Sequence, residues 1–194
     1  MSGDGAGSGP GSGSCSDLGP GPGSGGGPDS APGSDSGSGS GPSSGFGFGF
    51  LDGRFTVRNR RLAEPLDPDS GWDVFDGHTT GRLFWDGRAH VDEIVFPSKG
   101  FSGLTLRLYE PETGEWTLNW SASRTGRLEP AVRGRFGADG TGEFFGDDVS
   151  AGRPVRVRFR WSGITADAAR WEQSFAPAGT EAWVTNWVME FSRA

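Results

Sequence analysis

From residue 46 onward apolar and polar positions alternate with period two, and turn residues break the alternation about every ten positions. Alternation of this kind marks strands with one buried face. It predicts strands over 55–60, 72–75, 82–85, 91–96, 103–109, 115–122, 131–136, 142–145, 155–161, 169–175 and 182–191. The separators are Gly- and Pro-rich, as in Pro97-Ser-Lys-Gly100, Pro111-Glu-Thr-Gly114, Ala138-Asp-Gly140 and Pro177-Ala-Gly179, and they supply turn geometry. Asp76-Gly77-His78-Thr79-Thr80-Gly81 reads as a further interruption. The only helical candidate, 165–170, is too short to stand alone. About ten short strands on tight loops predict an all-β, antiparallel up-and-down barrel, closed because Trp-rich edges would invite edge pairing.

The phase of the alternation assigns faces. Val155, Val157, Phe159 and Trp161 share one parity, and Arg156, Arg158 and Arg160 the other. The arginines are expected outside, where they need no buried counter-charge and pair with acidic neighbours across strands. Trp116, Leu118 and Trp120 oppose Thr117, Asn119 and Ser121, while Trp183, Trp187, Met189 and Phe191 share a parity opposite Val184, Asn186, Val188 and Glu190. Two segments thus repeat Trp-x-x-Asn-Trp, at 116–120 and 183–187. At strand spacing both rings of each repeat point one way. Each buried Trp removes roughly 150–250 Å² from water, a gross gain of about 4–6 kcal/mol. Barrels of eight to ten strands are wide enough for one small ligand, so Trp116, Trp120, Phe159, Trp161, Trp171, Trp183 and Trp187 are the candidate cavity lining.

Composition divides the chain. Residues 1–45 hold 17 of the 36 Gly, together with 13 Ser and 6 Pro, and no aromatic, β-branched or basic residue. That composition cannot offset the entropy of ordering and predicts a disordered arm ahead of a barrel domain over 46–194. Gly21-x-Gly23-x-x-Gly26 matches a dinucleotide fingerprint only by composition, since neither strand nor helix flanks it. Cys15, in the arm, is the only cysteine, which excludes an intrachain disulfide and a thiolate zinc site. The net charge is −7, and the basic set is 17 Arg with Lys99. This balance gives no electrostatic reason to expect nucleic acid or an anionic membrane as partner. With no signal peptide and no apolar run near 20 residues, a cytoplasmic location is expected.

A set of motifs carries a resemblance: Trp72, Val91-Asp-Glu-Ile94, Gly103-Leu-Thr-Leu-Arg107-Leu-Tyr109, Gly114-Glu-Trp116, Gly134-Arg-Phe136 and Gly142-Glu-Phe-Phe-Gly146. It continues with Arg160-Trp161, Arg170-Trp171-Glu172-Gln173-Ser174-Phe175 and Trp183…Asn186-Trp187. Over roughly 46–193 the chain resembles uncharacterised bacterial proteins of the calycin superfamily, alongside lipocalin-like and nitrobindin-like barrels. The resemblance implies a small antiparallel barrel with a central cavity. It departs from the nitrobindin branch, whose haem takes a late histidine, because no histidine follows His90. Tyr109 and Met189 are the remaining side chains able to ligate iron, and no cofactor is expected.

Catalytic chemistry finds little support. There is no nucleophile elbow, no cysteine in the domain and no metal-ligand spacing. His78 and His90 read as surface polar residues, and Asp92-Glu93 and Asp147-Asp148 as solvated charges. The polar candidates are Arg107, Tyr109, Asn119, Arg135, Glu172 and Asn186. Arg107 and Tyr109 share a face suited to a carboxylate, yet they alternate with Leu104, Leu106 and Leu108, which places the leucines inside. The sequence therefore points to a binding module for a small apolar or aromatic molecule. The alternative is a cyclase or isomerase without a nucleophile, using Glu172 with Arg107 or Tyr109 as general acid. A structural or partner-binding domain is a third reading.

Overall fold

The computed structural model describes residues 47–194; the expected arm, with Cys15 and Gly21–Gly26, lies outside the described residues. Ten strands form one closed antiparallel barrel: β1 (Gly53–Leu62), β2 (Trp72–Phe84), β3 (Ala89–Phe96), β4 (Phe101–Glu110), β5 (Glu115–Ala122), β6 (Val132–Phe136), β7 (Gly142–Ser150), β8 (Arg153–Ser162), β9 (Ala168–Pro177) and β10 (Val184–Arg193). Each strand pairs with its sequence neighbours, and β10 closes on β1 from Phe55↔Arg193 to Arg61↔Trp187. No edge is left among these strands, which removes the template for edge-to-edge association. Among the described residues no helix is long and apolar enough to cross a membrane.

Two local expectations change, and a third segment is settled. The interruption at 76–81 is absent, because β2 runs unbroken for 13 residues through it. Its glycines serve close packing rather than a turn: a Cβ on Gly77 would stand 2.9 Å from the Val95 carbonyl, and one on Gly81 would stand 2.5 Å from that of Leu51. Residues 165–170, too short for a helix of their own, form none. Thr165 Oγ accepts the amides of Asp167 and Ala168, at 3.3 and 2.9 Å, and that turn launches β9. The repeat at 183–187 is broken by a bulge in β10, where the register against β9 shifts between Thr185 and Trp187. An extra residue in one strand reverses the facing of everything before it, so Trp183 and Trp187 lie on opposite sides of the wall.

The interior is aromatic from end to end. Near the end where β1 begins, here the upper end, Phe48 is fully buried among Trp116, Phe136, Phe144 and Trp161, with ring centroids 5.0–6.0 Å away. Near the lower end Phe96, Trp171 and Trp187 pack together, with centroids 5.7–5.8 Å apart, and Phe159 lies 4.9 Å from Trp171. The arginine row of β8 faces outward as expected. Arg160 pairs with Glu172 of β9 at 3.4 Å, and Arg156 pairs with Glu181.

Candidate functional site

The upper mouth is closed by the chain itself. Residues 47–51 enter the barrel ahead of β1, and a 3-10 turn over Gly49–Leu51 directs Phe48 and Leu51 inward. Gly47 has φ +29°, and a Cβ there would meet the Trp116 ring at 2.5 Å, so the backbone enters only because that position lacks a side chain. Arg193, near the end of β10, holds this segment from outside by donating to the Phe50 and Asp52 carbonyls at 3.3 and 3.0 Å.

Beneath Phe48 lies a polar cluster in the aromatic interior. β3 turns His90 and Asp92 inward, at 0 % and 5 % exposure, β4 adds Arg107 and β2 adds Thr79. Arg107 Nη1 donates both to Asp92 and to His90 Nδ1, the latter at 2.9 Å. A guanidinium has no acceptor, so Nδ1 of His90 is the unprotonated nitrogen. The proton sits on Nε2, which faces the Leu51 carbonyl at 3.4 Å. Thr79 Oγ donates to the second Asp92 oxygen at 3.1 Å and lies 2.8 Å from the Glu93 carbonyl. Burial and the adjacent guanidinium push His90 down to about 4 from its usual 6.5. At neutral pH the cluster therefore has one positive guanidinium, one carboxylate and a neutral imidazole.

Two donors in this region have no acceptor. Arg107 Nε and Trp161 Nε1 are buried without a hydrogen-bond partner. The Arg107 guanidinium lies 5.0 Å from the Phe48 ring centroid and 5.8 Å from that of Trp161, so all three groups meet at one place. An unpaired buried donor costs about 1–3 kcal/mol. The contrast with Trp187 is direct, because its indole N–H donates to the fully buried Asn59 at 3.1 Å. Arg158 Nε is also unpartnered, but it lies on the outer wall below Trp183.

The structure redistributes the residues singled out in the sequence. Trp116, Trp120, Phe159, Trp161, Trp171 and Trp187 belong to the interior core or pack against it. Trp183 does not: it lies outside between Arg156 and Arg158, about 5 Å from each, with Nε1 donating to Glu181 at 3.1 Å. Arg107 lies inside and Leu104 outside at 46 % exposure, opposite to the expected facing of β4. Two side chains force that phase. Trp120 occupies the space over Gly103, where a Cβ would stand 1.7 Å from its ring, and Arg107 meets its counter-charge only from within. Tyr109 shares the inward parity, half-buried with its ring centroid 5.5 Å from Trp116.

Asn119 is on the outer face, donating to the Leu106 carbonyl at 3.1 Å. Arg135 pairs with Glu115 at 2.9 Å, its side chain exposed. Glu172 pairs outside with Arg160 and Arg170, so it cannot act with Arg107 as a general acid. Asn186 is buried at the β10 bulge, bonded to Gln173 and to the Pro65 carbonyl at 2.9 and 3.1 Å. His90 and Asp92, read from sequence as surface groups, are the centre of the cluster. The signal that finds them is the parity of Ile94 and Phe96, both buried, extended back along β3; Val91 and Val95 on the opposite parity mask it.

Neither histidine is placed to hold a haem. His78 is exposed, and both ring nitrogens of His90 are engaged by Arg107 and Leu51. No group of carboxylates and imidazoles able to hold a metal ion is found among the described residues. Surface concavities of about 490 Å³ beside 74–78 and 97–99, and about 530 Å³ over β5–β8, touch none of the interior tryptophans. The fold and interior define the class: a closed ten-strand antiparallel barrel with aromatic clusters inside. The chain matches no protein-family model and no curated protein.

Proposed function

We propose that this protein is a small-molecule-binding barrel of the kind the calycin resemblance implies, taking an apolar or aromatic ligand into the upper half of its interior. The observation that supports this is the His90–Asp92–Arg107–Thr79 cluster, buried in an aromatic interior beneath Phe48 of the segment 47–51. Buried ion pairs contribute little net stability, and apolar residues of equal volume do as well or better. This pair therefore adds little to stability beyond fixing the facing of β4. Trp116 and Trp161 with Phe136 and Phe144 form an apolar wall around Phe48, which lies against Arg107, and a few fixed polar groups beside such a wall are how ligand sites orient their occupants.

The test is a titration of the full chain with the uncharged probe N-phenyl-1-naphthylamine, followed by tryptophan emission and by unfolding temperature. A saturable one-to-one change is expected, with stabilisation growing with free probe as mass action requires, and with weaker binding in Arg107→Met. The reading fails if neither the native chain nor Phe48→Ala gives a saturable response.

A further inference from the structure

The chain's own Phe48 stands where a ligand would, and it does so imperfectly. Its ring is fully buried, lies 5.0 Å from the Arg107 guanidinium and makes edge contact with Trp161 at 6.0 Å. A phenyl ring satisfies the apolar wall but offers no lone pair to either Arg107 Nε or Trp161 Nε1, and both remain unpartnered. The segment carrying it is short, and outside the barrel Arg193 holds it through the Phe50 carbonyl and that of Asp52 just after it. These observations together describe a built-in occupant that matches the site in shape and fails it in hydrogen bonding.

We infer that residues 47–51 are a displaceable plug, and that the ligand replacing Phe48 is an uncharged aromatic molecule bearing a carbonyl group, its ring in the Phe48 position and its oxygen accepting from Arg107 Nε and Trp161 Nε1. This rests on the pocket reading above and adds the ligand class and the competition. The aromatic body follows from the rings that surround Phe48. The acceptor follows from the two unpaired donors.

The absence of charge follows from the cluster's balance. Arg107 is already compensated by Asp92, so an anion would leave one uncompensated negative charge in the interior. Only a proton on His90 would offset it. The groups facing that imidazole are Arg107 from β4, Asp92 from β3, and the Leu51 carbonyl and Asp52 from the segment ahead of β1. Burial and the guanidinium hold the ring neutral at physiological pH. A carbonyl ligand needs no such proton and leaves the Arg107–Asp92–His90 arrangement in place.

Three compounds of one size separate the terms: acetophenone has the ring and the carbonyl, ethylbenzene the ring alone, and benzoate the ring with a charge. Each is titrated at neutral pH into the full chain, into Phe48→Ala and into Phe48→Ala combined with Trp161→Phe, following amide shifts by NMR. Acetophenone is expected to bind Phe48→Ala about tenfold more tightly than either analogue, as one to two buried hydrogen bonds imply. Trp161→Phe deletes one donor, so it should cut the ratio of acetophenone to ethylbenzene affinity, read within that one protein, to about threefold. The native chain should bind acetophenone at least tenfold more weakly than Phe48→Ala, because the plug competes. Phe48→Leu substitutes if the alanine variant does not fold.

Equal binding of acetophenone and ethylbenzene overturns the carbonyl assignment, with a buried water on the donors as the explanation. Tighter binding of benzoate overturns the neutral-ligand argument. Equal affinity of the native and Phe48→Ala chains overturns the plug. Each of these leaves the pocket reading standing, whereas no saturable binding of any compound to any of the proteins removes both.

Discussion

Lowering the pH from 7 to 5 should cost this protein stability at one identifiable residue. His90 is enclosed by Arg107, Asp92, the Leu51 carbonyl and Asp52, and is held at about 4 against an ordinary value of 6.5. Between those values the unfolded chain binds a proton that the folded chain refuses, so stability rises with pH across the window and falls as the pH drops. Holding the imidazole at about 4 rather than 6.5 corresponds to roughly 3 kcal/mol in full. About 2 kcal/mol of this is lost between pH 7 and pH 5, and the remainder by about pH 3 to 4. The carboxylates titrate over part of the same range, so the measurement is a difference between two proteins. Urea unfolding of the native chain and of His90→Gln at pH 7 and at pH 5 isolates the histidine. The native chain should lose about 2 kcal/mol more than the variant. Equal losses in the two proteins would refute the placement of a neutral imidazole against the guanidinium.

Three further perturbations have definite outcomes. Asp92→Asn leaves the buried Arg107 without its counter-charge and should cost about 3–5 kcal/mol in denaturant unfolding, with much of that recovered when Arg107→Met is added. Gly103→Ala places a methyl group 1.7 Å from the Trp120 ring. It should destabilise the barrel by about 1–3 kcal/mol and shift tryptophan emission as the ring is displaced. Trp183→Ala removes an outer-face ring held between two arginines. It should leave the affinity for interior ligands unchanged and alter stability by about 1 kcal/mol at most, as calorimetry would show.

The strands were legible because their signal is local. Alternation, turn glycines and a Trp-rich meander specify an all-β chain, and the cost of exposed edges argues for closure. β8 was also readable in its facing, since three arginines on one parity leave only one affordable orientation. The same reasoning failed on β4, where leucines on one parity face Gly, Thr and Arg on the other. There the apolar row lies outside, because Trp120 reaches across to Gly103 and Arg107 finds Asp92 and His90 on the neighbouring strand. In β2 two glycines that resemble a turn in sequence are instead contact points for Val95 and Leu51.

By itself, then, the sequence determined what the chain is built from: about ten strands, most of their turns, their order and an aromatic interior, set largely by patterns within a few residues. The tertiary structure alone decided which tryptophan of the second repeat faces inward, since a single bulged residue reverses the phase. It alone assembled His90, Asp92, Arg107 and Thr79, which come from three strands, and set Phe48 over them. Burying a charge is decided by the partner it meets, and that partner lies across the sheet rather than along the chain.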